Sequence, residues 1–367
     1  MRKRALSTLL SCKVITLTLL LLCACLLFAC SRQDTQGPVE LLSITPYEGY
    51  SVGVDLFGRK LAMVPKGKDI PSEVKENFAA NMIVRVPLER VIVASGSYDA
   101  GIILELGFGV TFVGSTEAPE EWYHPGVKEL YEKGTLSFVG QWNALDFELI
   151  KTLDPDLILV SSLEATEALT ALGFPVAGTY DPDINTIENR LKLIDFISAF
   201  YGAREKGRES IERIKATIEE VKARQANSPK VPVSWGIYYN RRVYALKGSF
   251  WMAQLITLAG GDYIFDYLET DTMELSLEEF LTASKDADIF FANPIYEEHV
   301  QTKEDMLFYH SDLAILKAFS PEGIVVVPRA IVFQDTGNLD EIALDVGAVI
   351  HPELYPDREI SYFYYLE

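Results

Sequence analysis

Thiols and imidazoles are scarce in this chain of 367 residues. Its four cysteines, Cys12, Cys23, Cys25 and Cys30, all lie within the first thirty positions. The remainder therefore has no internal disulfide, zinc-thiolate site or cysteine nucleophile. The four histidines, His124, His299, His310 and His351, stand far apart, and none are paired at ligand spacing. Direct capture of bare zinc or manganese needs several converging His, Asp or Glu ligands, so this pattern argues against it. Positive charge is also short: 33 lysines and arginines face 53 acids, a net −20, and such a chain repels nucleic acid. Ser95-Gly96-Ser97 lacks the Gly-x-Ser-x-Gly elbow. Gly107-Phe108-Gly109 follows a helical run and precedes a strand run, the reverse of a pyrophosphate loop. With no nucleophile–base set, metal cluster or paired acids, the chain reads as a non-enzyme.

The amino terminus is informative. Met1-Arg2-Lys3-Arg4 precedes Leu9–Phe28, which is largely apolar with no charge except Lys13, the layout of a signal peptide. It closes in Leu27-Phe28-Ala29-Cys30-Ser31, which resembles the bacterial lipobox, so residues 1–29 are expected to be removed and Cys30 to carry the lipid. Cys25, after Leu22-Cys23-Ala24, is a second candidate. An uncleaved membrane helix is the competing reading, because the run approaches the roughly 20 residues that span a bilayer. Cleavage removes four basic residues and no acids, taking the charge from −20 to −24. Residues 30–38 are polar and turn-rich and read as a tether.

The remaining length suggests two domains. Short β-rich runs at 41–44, 50–54, 61–64 and 82–86 predict an antiparallel lead-in. From Arg90, continuous apolar runs alternate with helical spacing: strands at 90–95, 110–114, 156–162 and 175–178, and helices at 98–106, 147–153 and 164–172. Residues 185–225 are strongly helical and charged, broken around Tyr201-Gly202-Ala203. A second alternation follows, with strands at 231–238, 289–292 and 323–327 and helices at 250–259, 277–283 and 339–350. The expectation is an α/β protein of two Rossmann-like lobes, 39–182 (with the lead-in) and 227–367, joined by one long helix within 183–226. Between such lobes, strand ends face a cleft, where open α/β sheets bind ligands.

Four stretches make the chain similar to a known family: Ser95–Gly107; Leu145–Ile158, with Asp154-Pro155-Asp156-Leu157-Ile158; Lys247-Gly248-Ser249 with Leu255–Asp262; and Leu275–Phe280 before Asp286-Ala287-Asp288-Ile289. In order and spacing they resemble the periplasmic binding proteins of importers for siderophores, haem and cobalamin, whose lobes are joined by a single rigid helix. The likeness covers about residues 88–352. It implies an extracytoplasmic, lipid-anchored, monomeric protein that captures a metal chelate, a ferric siderophore foremost, and hands it to the membrane permease of an ABC importer. Haem or cobalamin on the same scaffold and a surface lipoprotein outside transport are the alternatives. No covalent cofactor besides the lipid is implied. By the same resemblance, Glu148 and Glu278 meet arginines of the permease; the plain alternative is solvated glutamates at helix starts.

Candidate ligand contacts cluster in aromatic loops at strand ends, where large flat ligands stack. They are Tyr98, Trp122, Trp142, Tyr238, Tyr239 and Trp251, with Trp235 assigned to core. Arg241 is the candidate for an anionic chelate, joined by Arg242 and Arg329. His124, in the Glu121-Trp122-Tyr123-His124 loop, is a candidate axial ligand for haem iron. The lead-in and the aromatic Tyr362-Phe363-Tyr364-Tyr365 have no assigned role.

Overall fold

The computed structural model describes residues 40–180, 185–239, 242–268, 272–292 and 300–367, with the side chains of Tyr238, Tyr239, Thr272 and Met273 outside that description. Cys30, Arg241 and His299 also lie outside the described residues.

Apolar runs without alternation bury both faces, so they form strands covered by helices on both sides. Val91–Ala94 (β5), Phe112–Ser115 (β6) and Leu157–Val160 (β8) are buried throughout. With Ser137–Phe138 (β7) and Val176–Gly178 (β9) they form one parallel sheet in the order β7-β6-β5-β8-β9. The chain leaves β5 to one side and returns to β8 on the other, so β5 is the switch point and its loop opens at the crevice.

The lead-in is a separate four-stranded sheet of Ser43–Tyr47 (β1), Tyr50–Val54 (β2), Lys60–Pro65 (β3) and Ile83–Val86 (β4). Its first three strands are antiparallel, but β4 runs parallel to β3, which corrects the all-antiparallel expectation. The β3–β4 connection contains the helix Ser72–Asn77 and a short 3-10 turn, long enough for a parallel crossover. The β2–β3 turn docks on the free edge of the first lobe's sheet: Leu56 N donates to the Gly178 carbonyl at 3.0 Å and Gly178 N to Asp55 Oδ2 at 2.9 Å. Pairing and covering this edge removes an aggregation-prone template.

The helical stretch forms two helices, Ile187–Phe200 and Arg204–Arg224, with the break at the Tyr201-Gly202-Ala203 signal. Gly202 takes a φ of +63°, which favours glycine. The second lobe holds a seven-stranded mixed sheet. Its long strand Val231–Tyr239 (β10) pairs in parallel with Gly261–Tyr263 (β12) and Ile289–Ala292 (β14), and with Arg242–Leu246 (β11) as a hairpin. Thr272–Leu275 (β13) pairs with β11 and Ile324–Pro328 (β15) with β14. The aromatic carboxyl terminus has a structural role: Phe363–Tyr365 (β16) closes the sheet antiparallel to β15, and Phe363 packs edge-on against Phe291 at 5.6 Å. Trp235 stacks on Phe291 in the core, as expected.

Candidate functional site

The carboxyl ends of all five strands of the first sheet open on one side, so the loops after β5, β7, β8 and β9 share a face. Two features lie there. The first is an exposed aromatic shelf. Trp142, in the loop after β7, is 65 % exposed, with Phe147 at 40 % on the same pocket. Trp142, Leu145, Phe147, Ser162 and Glu164 line an open pocket of about 290 Å³. The helix Phe147–Leu153 starts here because Asp146 caps it, accepting from Leu149 N at 2.9 Å. An indole held in water at the mouth of a crevice is a costly exposure that a stacked ligand would relieve.

The second feature is interior. Arg190, on the first linking helix, is 4 % exposed. Its guanidinium lies 4.1 Å from the Trp251 ring centre and 5.4 Å from that of Tyr98, and Tyr98 stacks on Tyr180 at 4.3 Å. Arg190 Nε donates to Asn185 Oδ1 at 2.9 Å and Nη1 to Thr336 Oγ1 at 2.6 Å. Nearby Asp99 is buried and accepts from the hydroxyls of Ser95 and Thr179. Burial pushes its carboxyl up to about 6 against those hydrogen bonds and Arg190's charge. Burial also brings the Arg190 guanidinium down to about 10, so it stays charged at neutral pH. This cluster joins the first lobe (Tyr98), the link (Arg190) and the second lobe (Trp251, Thr336).

The expected contacts therefore separate. Trp142 faces solvent, while Tyr98 and Trp251 flank Arg190. Trp251 is wholly buried, edge-on to Phe333 at 6.3 Å, and presents no free face to a large ligand, a correction to its expected role. Trp122 is corrected likewise: fully buried, it packs edge-on to Phe112 at 6.0 Å and its indole N–H donates to the Glu117 carbonyl at 3.3 Å. Tyr238 and Tyr239 end β10. Arg242 is exposed and pairs across the hairpin with Glu274 at 3.2 Å, and exposed Arg329 lies over the Tyr364 ring at 5.3 Å.

His124 is occupied as a helix cap rather than poised for iron. Its Nδ1 accepts from Gly126 N at 3.1 Å and its Nε2 is 3.7 Å from Asp335 Oδ1 across the lobes. Burial alone would raise Asp335, but hydrogen bonds from His124, Tyr362 and Asn338 outweigh it and hold the carboxyl below its usual range. Among the described residues no three His, Cys, Asp or Glu converge to hold a metal ion, and no helix is long and apolar enough to cross a membrane. Glu148 and Glu278 are both exposed and occupy the same place in their lobes. Each is the second residue of a helix capped by Asp146 or Ser276, and each helix leads into a buried parallel strand, β8 or β14.

Arg190 escaped the sequence reading, although a signal existed. It sits on the apolar stripe of its helix, with Leu193, Ile194 and Ile197 following at i+3, i+4 and i+7, all buried.

A family model described as periplasmic binding protein matches residues 91–307. An uncharacterized lipoprotein of Methanocaldococcus jannaschii is 26% identical over 348 residues, covering 89% of this chain and 85% of its own. Among solved structures, Helicobacter pylori CeuE in a nickel–histidine complex aligns with a TM-score of 0.63 at 17% identity, over 85% of this chain and 91% of that one. The vitamin B12 binding protein BtuF of Vibrio cholerae gives 0.56 at 18%, over 74% and 99%. The haem binding protein HutB of the same organism gives 0.58 at 20%, over 73% and 100%. The solved structures speak for the fold. Because the family model spans more than half of the sequence, and the sheets and helical link carry that fold, the chain belongs to the periplasmic binding protein family.

Proposed function

We propose that this chain is the lipid-anchored substrate-binding component of an ABC importer, taking a metal chelate, foremost a ferric siderophore, into the cleft between its lobes. The observation that carries this reading is Trp142, two-thirds exposed over an open pocket at the strand ends of a binding-protein fold. A large aromatic or greasy chelate covers such a surface; a bare ion does not, and no ligand set for one exists among the described residues. The proteins of like fold bind vitamin B12, haem and a nickel–histidine complex by their descriptions, which keeps haem and cobalamin as rival cargo. In this reading the two lobes are 39–182 and 227–367, Cys30 carries the lipid, and Glu148 and Glu278 meet the permease.

Uptake of radiolabelled chelates tests the proposal. In cells lacking the chain, the intact sequence restores uptake of one chelate class, and Cys30→Ser protein moves from the membrane to the soluble fraction. Equal uptake of siderophore iron, haem and cobalamin with and without the chain would favour a surface role outside transport.

A further inference from the structure

Beside Arg190 lies a small cavity of about 20 Å³, room for roughly one water-sized particle. Its polar wall is formed by Tyr98, Thr179, Tyr180, Asn185, Asn189, Arg190 and Thr336, and Leu42 and Leu56 of the lead-in supply part of its apolar wall. Two buried donors on this wall, Arg190 Nη2 and Asn185 Nδ2, have no partner among the described residues. Asn185 is 7 % exposed and Arg190 4 %. The orientation of the Asn185 amide is not arbitrary: its oxygen accepts from Arg190 Nε, which can only donate, so the NH2 group is the one left over. Thr336 Oγ1 accepts from Arg190 Nη1, which leaves its own hydroxyl proton free to donate as well. Asp99 accepts at Oδ2 from Ser95 and Thr179 while its buried Oδ1 has no partner among the described residues, and Arg190 has no ion pair among them.

Arg190 feels the charge of Asp99 but has no ion pair among the described residues, and a buried guanidinium N–H and amide N–H without an acceptor there cost free energy comparable to losing charged and neutral hydrogen bonds. A water would satisfy the donors but bring two protons of its own into a wall that is rich in donors. We propose that this cavity binds one small monoatomic anion of the halide class, held by Arg190, Asn185 and Thr336 at the junction of both lobes and the link. Its size of about 20 Å³ suits chloride or bromide better than sulfate or phosphate. The site is distinct from the Trp142 pocket, because the two share no lining residue. Bound there, the anion neutralises the buried cation and ties the link to the second-lobe segment that carries Thr336.

The test uses the purified protein at constant ionic strength, with chloride replaced stepwise by gluconate or by bromide. Chloride and bromide are expected to raise the thermal unfolding midpoint, saturably and by on the order of a few degrees relative to gluconate. Crystals grown in bromide are expected to show an anomalous peak between Arg190 Nη2 and Asn185 Nδ2. Asn185→Asp, which supplies a carboxylate at the same place, is expected to fold and to lose the halide response. An unchanged midpoint in gluconate, a cavity peak without anomalous signal, or a halide response that survives in Asn185→Asp would each overturn the proposal.

Discussion

A carboxyl and a guanidinium buried at the junction of the lobes give the molecule a residue-scale pH signature. Burial raises Asp99 from its ordinary 3.8 to about 6. A raised acid favours the folded state while protonated, so this contribution is complete below about pH 4 and is lost as pH rises through about 6. The shift corresponds to about 3 kcal/mol in all, roughly 2 of them between pH 4.5 and 7. Asp99→Asn keeps the shape and cannot ionise, so denaturant titrations at those two pH values should show the variant gaining on the parent by that amount. Equal changes in both proteins would mean that Asp99 titrates normally. Single residues were only partly legible in the sequence. Trp142 stood out through the family resemblance, which implies an aromatic against the ligand just before the Glu148 helix. Trp122 and Trp251 looked alike in sequence and proved buried, since nothing local in a sequence tells whether a loop folds inward over Phe112 or a ring over Arg190.

At the scale of elements, buried parallel strands and their following helices were legible, because continuous apolar runs and 3.6-residue spacing are local signals. The helices Phe147–Leu153 and Leu339–Ile350 and the strand Ile289–Ala292 fall where their residues predict them. The short strands β13 and β16 were not, because each exists only by pairing with a neighbour distant in sequence. Two equivalent helix starts carry the docking proposal. Glu148 and Glu278 stand in solvent at the first turns of matched helices, where the helix dipole favours carboxylates and no side chain among the described residues pairs with them. Charge pairing at such points steers and orients a partner without locking it. Reversing both, Glu148→Arg with Glu278→Arg, is expected to abolish chelate uptake while chelate affinity stays within about twofold, a change under 0.5 kcal/mol. If affinity falls instead, these residues belong to the binding cleft.

For the whole molecule, the lobes are sewn together as well as linked. Arg213 on the second linking helix reaches Glu105 of the first lobe at 2.8 Å and also pairs with Asp340 of the second. The Gln334 side chain accepts from the Tyr123 and His124 amides at 2.8 and 3.0 Å and donates to the Glu121 carbonyl at 2.8 Å. Gly101 allows this seam: a Cβ there would stand 2.5 Å from the Gln334 carbonyl oxygen. Opening the cleft by a hinge would break these contacts together, so small-angle scattering curves with and without chelate should nearly superpose; a large change in radius of gyration would mean the seam opens.

The central claim is that this scaffold captures a metal chelate on the Trp142 shelf, and equilibrium titration tests it most directly. The purified chain from residue 31 onward, parent and Trp142→Ala, would be titrated with ferric siderophores, haemin and cobalamin while tryptophan fluorescence and visible absorbance are followed. Saturable quenching with a shifted visible band is expected for one of the three, at micromolar affinity or tighter, weakened roughly tenfold in Trp142→Ala. No response of the parent protein to any of them, or equal affinity in the two proteins, would contradict it.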